Sequence, residues 1–98
     1  MKTRNTYIHL LRKFRQSHAS EYGITRMGIF GSVARGEQTD ESDIDVYFET
    51  DKKLSLFRMG GLMYDLKELF GVPVDLVHKT ERMSAMMKQR IEKDIIYV

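Results

Sequence analysis

Two aspartates, Asp43 and Asp45, stand two positions apart in the stretch Ser42-Asp43-Ile44-Asp45-Val46. In an extended strand alternate side chains point to one face, so this spacing sends both carboxylates the same way. Left alone, such a pair repels and raises the proton affinity of one member, whereas a divalent cation holds both as anions. Magnesium suits the need, because it takes hard oxygen ligands and fills the rest of its octahedral shell with water and substrate phosphates. An Asp-x-Asp pair by itself is a weak signal, since aspartates also serve turns and helix caps.

Asp75 adds weight. It sits within Val72-Pro73-Val74-Asp75-Leu76-Val77, where a charge among apolar neighbours needs a partner. If that strand lies beside the one carrying Asp43 and Asp45, three carboxylates share a sheet face. Such a cluster can hold two metals and assist in-line displacement at phosphorus. The competing reading is an aspartate on an exposed edge strand. Gly31 and Ser32 follow the apolar run Ile24 to Phe30 and precede a short helix expected from near Val33. Glycine lets backbone approach a phosphate, serine can cap the helix, and a helix start favours an anion, so a triphosphate can rest there. A plain capped turn uses the same two residues, and the Gly-Lys-Ser/Thr ending of a P-loop is absent.

These residues need a scaffold, and the hydrophobic periods supply one. Tyr7, Leu10, Leu11 and Phe14 recur at helical spacing, predicting an amphipathic helix from Arg4 to Ala19 with its stop at Gly23. Strands are expected at Ile24 to Phe30, Ile44 to Phe48 and Val72 to Val77. A polar loop from Gly36 through Asp40 and Glu41 precedes the second of them. Met59, Leu62, Met63, Leu66, Leu69 and Phe70 keep helical period after Ser55, ended by Gly71 and Pro73. Gly60 and Gly61 fall inside that helix, where each costs about 1 kcal/mol relative to alanine. A final helix is expected from Met83 to Ile96, with Met83, Met86, Met87, Ile91 and Ile95 on its packed side. The order α, β, short α, β, α, β, α predicts an α/β (α+β) fold. It is a single domain over residues 1–98, with a small mixed sheet, helices packed on one face and the three aspartates on the other.

Composition agrees with folding: 42% hydrophobic and 31% charged residues lie away from the profile of disorder. A net charge of +2 suits polyanionic ligands but falls short of a dedicated nucleic-acid binder. No cysteine means no disulfide framework and no zinc-thiolate site, which together with the lack of a signal-peptide core points to the cytoplasm. No run approaches the length of a membrane span. His9, His18 and His78 have no metal-ligand spacing and are assigned to surface or packing. Lys2, Arg4, Arg12, Lys13 and Arg15 are read as the solvated face of the first helix.

Taken together, Gly31-Ser32, ten intervening residues, Asp43-Ile44-Asp45 and a later Asp75 resemble the DNA polymerase beta-type nucleotidyltransferase superfamily. The short length and the run Gly31-Ser32-Val33-Ala34-Arg35-Gly36 look like its minimal nucleotidyltransferase (MNT) family, including the antitoxins of HEPN/MNT toxin–antitoxin pairs. The resemblance implies that Gly31 and Ser32 hold the triphosphate of ATP, and that Asp43 and Asp45 bind magnesium, as a two-metal site, and nucleotide. It also implies that Asp75 completes the metal site and helps deprotonate the attacking hydroxyl. Arg35 would contact phosphate or brace the loop, with a structural salt bridge as the alternative. The implied activity is transfer of AMP to a hydroxyl, a tyrosine of a partner HEPN ribonuclease toxin. The alternative is a non-enzymatic nucleotide-binding subunit that occludes that partner.

Overall fold

The computed structural model describes residues 2–39 and 42–98, so the Asp40 and Glu41 portion of the expected polar loop lies outside the described residues. The chain runs α1 (Arg4–Tyr22), β1 (Ile24–Phe30), α2 (Gly31–Arg35), β2 (Ile44–Thr50), α3 (Leu56–Phe70), β3 (Val74–His78), α4 (Ala85–Asp94) and β4 (Ile96–Tyr97). Each long helix starts on a hydroxyl cap that satisfies an orphan amide. Thr3 accepts from Thr6, Ser55 from Arg58 and Ser84 from Met87. Gly23 and Gly71, at φ 69° and 72°, end α1 and α3 in the left-handed conformation.

The four strands form one mixed sheet in the order β3-β2-β1-β4. β1 runs antiparallel to β2, and β2 runs parallel to β3, which requires the crossover that α3 supplies. The period of two divides β2 between two environments. Ile44, Val46 and Phe48 are fully buried in the main core with Tyr7, Leu11 and Phe14 of α1 and Leu62, Leu66 and Phe70 of α3. Asp45, Tyr47 and Glu49 point to the opposite face, where Ile91 of α4 packs on Phe30 and Tyr47. α1 and α3 cover one face as expected, but α4 departs from the expected arrangement and lies against the carboxylate side, because its Ile91 packs on Phe30 and Tyr47 there.

The chain's end departs from expectation. The final helix stops at Asp94, and Ile96–Tyr97 form a strand paired with β1, with Gly28 opposite Tyr97 and Ile29 opposite Ile96. Gly28 makes this possible, because a Cβ there would lie 2.7 Å from the Ile96 carbonyl oxygen. The adjacent β-branched Ile95 and Ile96 favour extended backbone once a partner edge is present. Met86 is also not on the packed side: it is 81% exposed, while Met83 and Met87 pack with Ile91. Met87 is one turn from Ile91, whereas Met86 is rotated a further 100° around the helix.

Several basic residues expected to be merely solvated are tethered. Lys2 donates to the Phe70 carbonyl at 3.0 Å, Arg4 to Ala34 at 3.2 Å and Arg15 to Thr25 at 3.5 Å. The histidines match their assignment. His9 is exposed, and His18 is exposed beside Glu21. His78 stacks on Phe48 with ring centroids 4.5 Å apart, and burial lowers its imidazole pKa. Among the described residues no helix is long and apolar enough to cross a membrane.

Candidate active site

The site is built where β1 ends and β2 and β3 begin. In the parallel ladder Asp45 pairs directly with Asp75, so identical register puts both carboxylates on the same face. Ile44 between the two β2-side aspartates is fully buried in the core, which leaves Asp43 and Asp45 to the other side. Asp45 is half-buried, and Asp43 and Asp75 are exposed. Asp75 therefore satisfies both readings of its sequence: it lies on the edge strand, and it faces Asp45.

Electrostatics marks Asp45 as the strained member. Its pKa is pushed up to about 6, first by burial, then by the charge of Asp75, with a hydrogen bond to Asp75 and the charge of Asp43 adding to the rise. The Arg90 guanidinium on α4 pulls the other way. Arg90 escaped the sequence reading, because nothing in its spacing relates it to the aspartates and only the docking of α4 brings it near.

Gly31 abuts this pair. It has φ 75°, and a Cβ added there would collide with the Asp45 carboxylate. Glycine is thus required twice, by conformation and by space. Gly31 opens α2, with Phe30 in the cap position and no side-chain cap. Ser32 is therefore not the helix cap that the sequence suggested: it already lies in the first turn of a helix that opens at Gly31, two residues earlier than expected. The Ser32 carbonyl instead receives the amides of Gly36 and Glu37 as the helix closes. Arg35 is held in ion pairs, at 3.0 Å to Glu37 and 2.7 Å to Asp94 of α4, so its guanidinium braces α2 against α4.

Among the described residues no three acidic or histidine side chains surround one point closely enough to hold a cation unaided. The expected cluster is instead an in-register pair, Asp45 and Asp75, with Asp43 one position ahead of the strand. Asp43 precedes the ladder, which begins at Ile44, so no strand pairing fixes it beside Asp75, although its charge still reaches Asp45. The donor set still fits a hard divalent ion, since the pair shares excess negative charge and phosphate oxygens can complete a shell. The site is an open edge. The neighbouring cavity of about 230 Å³ lies further along β2, lined by Tyr47, Glu49, Lys79, Ile91 and Tyr97 among others, and includes none of the three aspartates.

The family described as the nucleotidyltransferase domain matches residues 11–98. A protein of Methanocaldococcus jannaschii provisionally named a protein adenylyltransferase is 36% identical over 98 residues, covering all of both chains. The fold is similar to a solved minimal nucleotidyltransferase, with TM-score 0.79 and 27% identity over 97% of this chain and 95% of that one. It is also similar to a chain in the complex of a tri-AMPylated HEPN toxin of Shewanella oneidensis with its MNT antitoxin. That likeness has TM-score 0.70 and 17% identity, over 97% of this chain and 71% of the other, and it concerns the fold alone.

Proposed function

Because this chain belongs to the nucleotidyltransferase domain family, we propose that it transfers AMP from ATP, with magnesium, to a tyrosine hydroxyl of a partner HEPN protein and thereby acts as its antitoxin. The observation that carries this reading is the in-register pair Asp45 and Asp75 with Gly31 pressed against it. The openness of the site supports a protein acceptor, since Asp75 is exposed on an edge strand that a partner can reach. The AMP group is supported by the similar protein that carries the name of a protein adenylyltransferase, and the HEPN partner is the one that the resemblance to the MNT family implies.

Asp43, Asp45 and Asp75 would hold magnesium, which when bound neutralises the phosphates and lowers the pKa of the attacking hydroxyl. Gly31 admits the triphosphate close to the backbone, with Ser32 beside it. The acceptor oxygen bonds to the α-phosphorus while the bond from that phosphorus to the bridging oxygen of the β-phosphate breaks. Pyrophosphate leaves with the electron pair, and the hydroxyl proton passes to Asp75. Arg90, near Asp45, adds positive charge where negative charge accumulates.

Intact-mass measurement of the partner after incubation with this chain, ATP and magnesium tests the reading. One or more added AMP units are expected with the natural chain, and none with Asp75→Asn. Calorimetric titration of ATP should show binding that chelator abolishes. Protection from the partner with no mass change, equally strong in Asp43→Asn, Asp45→Asn and Asp75→Asn, would replace the enzyme with an occluding subunit.

A further inference from the structure

The outer face of α3 presents large apolar groups to solvent. Leu56, Phe57 and Tyr64 are 92%, 91% and 64% exposed, although a small soluble chain gains by burying such residues. The helical turn of 100° per residue places Phe57, Gly60, Gly61, Tyr64 and Glu68 along one side. Packing inside the chain does not require the two glycines. A Cβ on Gly60 would meet nothing within 4 Å, and one on Gly61 would meet only the Tyr22 hydroxyl at 3.5 Å.

We infer that this face joins two copies of the chain as a two-fold dimer, with the α3 helices antiparallel and crossing at Gly60 and Gly61. The stripe is self-complementary about that crossing, as a two-fold interface must be. Antiparallel apposition sets Phe57 against the partner's Tyr64, twice, and sets Gly60 against the partner's Gly61. It also turns the partner's Glu68, exposed near the C-terminal end of its α3, toward the N-terminal end of this α3, where Lys53 is exposed just ahead of the helix, so charges of opposite sign meet at both ends. Glycines at the centre let the helix backbones approach, and the aromatic rings close over the contact on either side. The face lies across the sheet from Asp45 and Asp75, so the dimer leaves the carboxylate edge open and stands independently of the proposed AMP transfer.

Sedimentation velocity of the chain alone, over a wide concentration range, tests this. A reversible monomer–dimer equilibrium is expected. Phe57→Asp and Gly60→Leu should each raise the dimer dissociation constant about tenfold or more, while the thermal midpoint of Gly60→Leu monomer holds or rises because leucine favours helix in open space. Lys53→Glu and Glu68→Lys should each weaken the dimer, and the two together should restore it. A chain that stays monomeric at every concentration overturns the inference. So does a dimer indifferent to these substitutions, or a charge exchange that restores nothing. If the chain is monomeric and Phe57→Asp instead abolishes binding to a HEPN protein, the face belongs to that partner and not to a second copy.

Discussion

Asp45 on β2 stands directly across the parallel ladder from Asp75 on β3, so two carboxylates face each other on one side of the sheet. Burial first, and then the Asp75 charge, push Asp45 up to about 6. The fold holds this arrangement against its own electrostatic cost, which is the usual mark of a functional position.

That cost has a pH signature. Asp45 ordinarily titrates near 3.8 and in the folded chain near 6, so the folded state holds this proton more tightly than the unfolded one. Its contribution to stability is fully present below the lower value and is lost as pH rises through the higher one. In chelator, the thermal midpoint of the natural chain should therefore gain less, or fall more, between pH 4 and 7 than that of Asp45→Asn. At pH 7 the variant should be at least as stable as the natural chain while losing AMP transfer. Parallel midpoint-versus-pH curves for the two proteins would remove the strain from the account.

Gly31 and Gly36 offer a matched comparison, because both have positive φ, at 75° and 73°, but only Gly31 lies against Asp45. Alanine at Gly36 meets open space and should cost about 1 kcal/mol in denaturant unfolding with transfer retained. Alanine at Gly31 must displace the Asp45 carboxylate, at about 1–3 kcal/mol and about a hundredfold in transfer rate. Equal kinetic effects would mean that contact with Asp45 is immaterial.

Arg35 is engaged by Asp94, so Arg35→Ala and Asp94→Ala break the same brace between α2 and α4. If bracing is its role, both substitutions should weaken ATP binding to the same small extent in calorimetry. A loss confined to Arg35→Ala would instead assign the guanidinium to the phosphates.

Gly28 carries the last strand across it, and a side chain there meets the Ile96 carbonyl at 2.7 Å. Gly28→Val should cost about 1–3 kcal/mol through overpacking and lower the thermal midpoint by roughly 4–8 °C per kcal/mol. The amide of Val98, bonded to the Met27 carbonyl at 2.9 Å, should exchange much faster with solvent. Unchanged exchange at Val98 would show that β4 does not depend on this glycine.

The sequence by itself determined what short-range chemistry controls. The three longer helices follow from apolar period, with Gly23 and Gly71 closing the first two, and β1 and β2 from short apolar runs. The shared face of Asp43 and Asp45 follows from strand period alone. Gly31 is recognisable as the tight link out of β1, where it takes up φ 75°. Tertiary structure decided everything that needs two distant segments to meet. The parallel pairing that sets Asp75 opposite Asp45 depends on α3 packing across the sheet, and the approach of Arg90 to Asp45 on the docking of α4. The capture of Arg35 by Asp94 joins residues of two separate helices. Ile95 and Ile96 show the difference most directly. Their apolar character continues the period of α4, so local spacing extends the helix to them, but the free edge of β1 at Gly28 offers backbone hydrogen bonds that one further half-turn of helix does not.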